Sequence, residues 1–239
     1  MHRKLPMDVA CNQLGNYFVD NSMKIFVLCS SEQHPIMPYL QNWKVQMEET
    51  GHQIVICSRK SQLGTGDILF LISCSERIGE ADRQKFRHVL VLHASDLPKG
   101  RGWSPHVWDI LNGAEYITLS LIDAAENIDT GDVWKKITLP IKKHALWNEI
   151  NHILFRGELE LMTWAIQNHA NIVPEVQDVS ETATYWPRRT EQDSRLEIEK
   201  SIKEQFDLLR ICDPDRYPAY FEMHGRQYKL RLEYYDEEE

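Results

Sequence analysis

Four short apolar runs dominate the first hundred residues: 24–30 (KIFVLCS), 53–58 (QIVICS), 67–74 (DILFLISC) and 88–93 (HVLVLH). None alternates and none exceeds eight residues, which predicts strands buried on both faces. After Pro35 and Pro38, Leu40, Trp43 and Met47 recur at helical spacing, and a short charged helix is expected over 80–86. Strands separated by helix-sized segments predict an α/β fold: a Rossmann-like, mostly parallel sheet flanked by helices. Such sheets bind ligands beyond the carboxyl ends of their strands. Ser30, residues 73–75 and His93 are therefore the positions to watch.

The pattern changes after His93. Residues 94–103 form a loop with Pro98, Gly100 and Gly102; Ser104-Pro105 and Gly113 predict a helix with a serine cap, a first-turn proline and a glycine stop. A strand is expected over 116–122, an acidic loop over 123–131 and a more exposed strand over 132–140, where Val133, Ile137 and Leu139 alternate with polar residues. Trp147, Ile150, Ile153, Leu161 and Trp164 mark a long amphipathic helix over 146–169, with a break expected at Gly157. A polar stretch at 171–184 suggests a boundary. Beyond it the spacing predicts a helix near 196–209 and a hairpin of 217–223 and 227–234, joined through His224-Gly225-Arg226. The expected organisation is an N-terminal extension (1–22) of unassigned role, a main domain (23–180) and a small C-terminal α+β subdomain (181–239).

With 42% hydrophobic residues in 239, the chain can fill a sizeable core. No stretch is long enough to span a membrane, and the first twenty residues lack the apolar centre of a secretory signal. The five cysteines are odd in number, form no CxxC pair and fall mostly inside apolar runs. Reduced thiols in the cytoplasm are expected. A net charge of −9 gives no general reason to bind nucleic acid or a membrane. The ten histidines show no metal-ligand spacing, so no metal is expected. Oligomeric state stays open, a homodimer being one option.

Candidate chemistry concentrates in 91–133. His93 ends a buried run just before a glycine-containing loop, and Asp129 lies in a second loop, Asn127-Ile128-Asp129-Thr130-Gly131-Asp132. If both loops meet at one sheet edge, the pair suits proton transfer. Histidine titrates near neutrality, and a carboxylate favours and orients its imidazolium. A histidine at a strand end also commonly serves as a cap, so spacing alone leaves both roles open.

His93-Ala94-Ser95-Asp96-Leu97-Pro98, Arg101-Gly102, Ser104-Pro105, Gly113 and Asp129-Thr130-Gly131-Asp132, in this order and spacing, resemble the signature of the 10-formyltetrahydrofolate-dependent formyltransferases over residues 24–134. The run Tyr185-Trp186-Pro187-Arg188-Arg189-Thr190 and Arg216-Tyr217-Pro218-Ala219 are similar to the appendage of family members that act on amino sugars, closest to the pseudaminic acid type. The resemblance implies that His93 and Asp129 are the catalytic residues. It also implies that the folate co-substrate is held largely by backbone of 73–78 (Ser73, Cys74, Ser75, Ile78) and 124–129 (Ala124, Ile128).

Lys99 and Arg101, in a glycine-containing loop, suit an anionic diphosphate, with Arg188 in a similar role; Trp103 suits stacking on a base or sugar. The implied activity is formyl transfer to the amine of a nucleotide-linked amino-deoxy sugar. A methionyl-tRNA acceptor is disfavoured by the ten Lys+Arg against fifteen Asp+Glu in 180–239. A glycinamide ribonucleotide acceptor is disfavoured because Ser31-Glu32-Gln33-His34-Pro35 replaces a glycine-rich phosphate loop.

One residue departs from the family pattern. Val91 stands where most members carry an asparagine that donates to the developing oxyanion. Losing such a donor costs about 10²–10³ in rate. Either protonated His93 or a hydroxyl of Ser73, Ser75 or Ser95 replaces it, or the protein is slow, hydrolyses formyltetrahydrofolate, or binds without turnover.

Overall fold

The computed structural model describes residues 22–178 and 182–235; all but the last residue of the 1–22 extension, and residues 236–239, lie outside the described residues. The central sheet has six strands. β1 (Lys24–Leu28), β2 (Gln53–Cys57), β3 (Gly66–Leu71) and β4 (Phe86–His93) are the four apolar runs, joined in the order β2-β1-β3-β4 by parallel pairing. β6 (Tyr116–Asp123) and β7 (Val133–Pro140) continue beside β4 in antiparallel register. The expected mostly parallel α/β sheet is thus the observed one. Between β4 and β6 lie a two-residue strand, β5 (Arg101–Gly102), and helix α3 (Pro105–Leu111).

Helices α1 (Met37–Glu49) and α4 (Trp147–Asn168) cover one sheet face. Ile25, Val27, Leu90 and Leu92 point into this larger core with Leu40, Trp43, Leu161 and Met162. The alternate residues of the same strands, Phe26, Leu28, Leu69, Leu71 and Val89, form a smaller core on the opposite face. Burial on both faces is why these strands read as unbroken apolar runs.

Four local expectations are corrected. α4 runs through Gly157 without a break, because a Cβ there would meet Leu139 Cδ1 at 2.7 Å; the glycine lets the helix approach β7 closely. Ser104 does not cap α3 through its side chain; it takes a left-handed conformation (φ 45°, ψ 52°) that redirects the chain into Pro105. The charged helix at 80–86 is a single turn, α2 (Glu80–Arg83), and Phe86 already belongs to β4. The helix expected from 196 begins only at a helical turn (Lys203–Gln205) leading into α5 (Phe206–Ile211). A reciprocal cap explains the late start: Ser201 Oγ accepts from Glu204 N at 3.3 Å while Glu204 Oε2 accepts from Ser201 N at 2.8 Å.

The C-terminal segment crosses back to the main sheet's loops. β8 (Tyr185–Trp186) pairs in parallel with β5. Buried Arg210 donates to the carbonyls of Ala145 (3.3 Å) and Lys142 (3.4 Å) ahead of α4. β9 (Ala219–Met223) and β10 (Arg226–Leu230) form the hairpin. It turns on two residues, His224 (φ 53°) and Gly225 (φ 71°), the positive-φ pair that matches strand twist. Among the described residues no helix is long and apolar enough to cross a membrane.

Candidate active site

His93 closes β4 at the sheet's carboxyl edge, on the face that also carries Val89 and Val91. The loop after β6 lies along that same face. At its start Ala124 N donates to Val89 O (2.8 Å), and further on Asp129 reaches His93. The loop cannot ride higher, since a Cβ on Gly131 would run into the backbone carbonyl of Asp123.

The two side chains are 8% exposed each, and Asp129 Oδ1 stands 3.5 Å from His93 Nδ1. The other ring nitrogen, Nε2, is 2.9 Å from the carbonyl of Gly100, so it carries a hydrogen and donates to that carbonyl, leaving Nδ1 as the nitrogen that faces the carboxylate. The second carboxylate oxygen of Asp129 accepts from Gly102 N at 2.9 Å. The 99–103 loop therefore touches both partners. It is held in turn by β8: Gly100 N donates to Thr184 Oγ1 (2.8 Å), Arg101 N to Thr184 O (2.9 Å) and Trp103 N to Trp186 O (3.1 Å).

The segments expected to cradle a folate lie together. Arg83 donates to the carbonyls of Ile78 (2.9 Å) and Ala125 (3.4 Å), and its other nitrogen meets Glu126 at 3.1 Å. Arg77 adds a 2.6 Å bond to Glu126. The hydrogen bonds and charges of Arg83 and Arg77 hold the Glu126 carboxyl below the usual range. Ser75 N donates to Ser30 Oγ (2.9 Å), tying the cradle to the end of β1. Ser73 adopts φ 46°, Ile78 is buried, and Cys74, Val91 and Ala124 are half-buried on the smaller core, while Ile128 is exposed. The two backbone segments thus flank the apolar side chains of Cys74, Val91 and Ala124.

Around this centre the predicted substrate residues fall into two stacked pairs and one exposed lysine. Arg188 lies over the Trp103 ring at 4.9 Å and Arg101 over the Tyr185 ring at 5.8 Å. Lys99 is exposed on the loop between Pro98 and Gly100. Trp186 stacks on Trp108 at 5.5 Å. Of the hydroxyls weighed as replacements for the missing asparagine, those of Ser73 and Ser75 belong to exposed residues, whereas Ser95 is 1% exposed and its Oγ is buried without a protein partner.

Three contributors were not evident in the sequence. Gln177 is 7% exposed and hydrogen-bonds the Asp129 loop and Arg101, yet nothing in its polar surroundings marks it. Thr184 and Arg83 act through similar side-chain bonds that no periodicity reports. Among the described residues no three metal-binding side chains converge on a common point.

No family model matches the chain. Curated relatives that it resembles include proteins named methionyl-tRNA formyltransferase. That of Protochlamydia amoebophila is 28% identical over 151 residues, covering 61% of this chain and 46% of that protein. That of Bacillus velezensis is 28% identical over 207 residues, covering 85% and 62%. The chain thus spans 46–62% of the length of these two relatives. Solved structures share the fold. Methionyl-tRNA formyltransferase from Clostridium thermocellum superposes with TM-score 0.75 at 22% identity, covering 88% of this chain and 92% of that one. HypX from Aquifex aeolicus in complex with tetrahydrofolic acid gives 0.74 at 19%, covering 88% and 37%. A 4-N formyltransferase from Francisella tularensis gives 0.69 at 19%, covering 88% and 97%.

Proposed function

We propose that this chain is an N-formyltransferase that moves a formyl group from 10-formyltetrahydrofolate to the amine of a nucleotide-linked amino-deoxy sugar, working in the cytoplasm, where its thiols stay reduced. The reading rests above all on the His93–Asp129 pair: a base nitrogen and a carboxylate oxygen 3.5 Å apart, nearly buried at the sheet's carboxyl edge. Two facing acceptors at that distance are complementary to an N–H donor entering between them.

In this mechanism the folate, when bound, supplies the formyl carbon, and its N10 keeps the electron pair of the bond that breaks and takes up a proton. Nδ1 of His93 receives the proton of the attacking amine while Nε2–H stays on the Gly100 carbonyl. Asp129 stabilises the imidazolium through Oδ1, and Gly102 N fixes the carboxylate through Oδ2. Backbone of 73–78 and 124–128, with Cys74 and Ala124 on the floor, holds the pterin. Lys99 and Arg101 meet the acceptor's phosphates, and the Trp103–Arg188 pair takes its planar base. A hydroxyl of Ser73 or Ser75 serves as the donor in place of an asparagine at Val91.

That the fold extends over 97% of a sugar N-formyltransferase from Shewanella, together with the acidic 180–239 segment, supports a sugar acceptor. The names of the curated relatives favour a second reading, a methionyl-tRNA acceptor. The test is mass spectrometry of products after incubation with 10-formyltetrahydrofolate and either 3-amino or 4-amino deoxy nucleotide sugars or methionyl-tRNA. A formylated sugar is expected, with His93→Asn slowing its formation by about 10²–10⁴-fold. Formylation confined to methionyl-tRNA would replace the first reading by the second, and an unaltered His93→Asn rate would remove the catalytic assignment.

A further inference from the structure

The buried carboxamide of Gln177 makes three hydrogen bonds to two separate loops. Nε2 donates to the carbonyls of Asp129 (2.9 Å) and Gly131 (2.9 Å), and Oε1 accepts from Arg101 Nη2 at 2.6 Å. Both amide hydrogens and the amide oxygen are thereby used. Each loop brings one half of the candidate site. The first carries Asp129, and the second carries the Gly100 carbonyl on His93 and the Gly102 amide on Asp129.

Asp129 itself has φ 57°, a left-handed conformation that costs a residue with a Cβ roughly 1–2 kcal/mol. It persists where the surroundings over-determine it. Two donations from one amide, to the carbonyls on either side of Thr130, supply that determination: they fix the peptide planes that aim the Asp129 side chain at His93. No other common side chain reproduces this pattern. Glutamate accepts from Arg101 but cannot donate when ionised. Asparagine is shorter by one methylene. Methionine keeps length and volume but makes none of the three bonds.

We infer that Gln177 is a positioning residue, a clasp that sets the aim of Asp129 on His93 by joining the 129–131 loop to the 99–103 loop. Its effect on formyl transfer rests on the function proposed above; the clasp itself is a statement about the two loops and is measured without turnover.

The experiment compares Gln177→Met and Gln177→Glu with the full-length protein. In Gln177→Met the Gly102 amide, released from the carboxylate, is expected to exchange its hydrogen at least about 10-fold faster, while Val27 and Leu28 amides in the core keep their rates. The kcat for formyl transfer is expected to fall by about 10²-fold, the effect of a misplacement near 1 Å, with the KM for folate within about twofold. In Gln177→Glu, the ratio of variant to wild-type rate is expected to rise as pH falls and the glutamic acid regains an O–H donor. A packing role alone predicts no such recovery. An unchanged Gly102 exchange rate in Gln177→Met overturns the clasp. So does an unchanged kcat in a variant whose parent transfers formyl. If the parent transfers none, the function proposed above fails, and Gly102 exchange still decides for or against the clasp.

Discussion

Two polar regions meet at the carboxyl edge of the sheet and are built on opposite terms. Around Asp129 most polar groups are paired: one carboxylate oxygen, the Gln177 amide, the Gly102 N–H and the Gly100 carbonyl have hydrogen-bond partners within the protein, and the other carboxylate oxygen faces His93 at 3.5 Å. Beneath the end of β1, titratable groups from separate elements are buried with fewer bonds: Glu158 Oε2 and His106 Nδ1 have no hydrogen-bond partner, while His34 Nδ1 accepts from Ile36 N at 3.3 Å and Cys29 Sγ meets only the Ser31 carbonyl, at 3.7 Å. Glu158 on α4 is 6% exposed with Oε2 unpartnered, and burial pushes its carboxyl up to about 8. His34 and His106 are both lowered to about 4, in each case chiefly by burial; Arg216 adds to this at His34, and His93 and His34 add at His106. Burial raises the Cys29 thiol, and the neighbouring Glu158 raises it further. All of these are neutral near pH 7. The contrast separates two uses of a buried polar group. Satisfied networks hold a charge in a chosen geometry, while unsatisfied ones shed their charge and tie stability to pH.

The sharpest way to break this comparison is Asp129→Asn. The amide keeps an oxygen for Gly102 N and leaves the fold intact, but it cannot carry the negative charge that the imidazolium needs. Formyl transfer is expected to fall by about 10²–10⁴-fold, with a thermal midpoint close to wild type. A loss below about tenfold would mean that the paired region is architecture only.

The unpaired region is sharpened by Glu158→Gln. The folded-state value of about 8 lies above the ordinary 4.5, so the folded protein binds the extra proton. That contribution is fully present below pH 4.5 and is lost as pH rises through about 8. His34 and His106, lowered from 6.5 to about 4, act in the opposite sense: their contribution is present above pH 6.5 and lost as pH falls through about 4. These three groups together place maximum stability near pH 6.5. Urea midpoints at pH 5, 6.5 and 9 should show Glu158→Gln flat where wild type declines, with a relative gain on the order of 3–5 kcal/mol by pH 9. Parallel curves would show that Glu158 finds a partner after all.

How much of this was legible in the sequence follows from what each feature depends on. The strands of the sheet were legible because burial on both faces imposes apolar runs, and His93 was conspicuous as the polar residue ending one of them. Asp129 stood out through the motif it belongs to, and the facing segments 73–78 and 124–129 through the resemblance. Gln177, Thr184 and Glu158 were not legible. A glutamine in a polar stretch, or a glutamate inside an amphipathic helix, reads as solvated until tertiary packing covers it. Gly157 and the start of the helix expected near 196–209, which is set at Ser201, were misread for a related reason. The glycine answers to the side chains of Leu139 on a strand distant in sequence, and the serine to a reciprocal bond with Glu204 that stops the helix from starting earlier.

The smallest expected effect probes an unpaired hydroxyl beside the clasp. Ser95 Oγ is buried without a protein partner, although the same residue's carbonyl accepts from Ser120 Oγ at 2.7 Å. Its side chain faces Gly100, where an added Cβ would stand 2.8 Å from Ser95 Cβ. A hydroxyl enclosed in this way cannot reach an oxyanion on the open side of His93. Ser95→Ala removes a polar atom that has no bond to lose and keeps the Cβ that packs on the 99–103 loop. Stability is expected to shift by no more than about 1 kcal/mol, toward the variant. Turnover is expected to stay within about twofold of wild type, measured with the acceptor that proves active. A collapse of kcat in Ser95→Ala would instead make this hydroxyl the donor that replaces the asparagine absent at Val91. The 99–103 loop would then have to open during turnover for it to act.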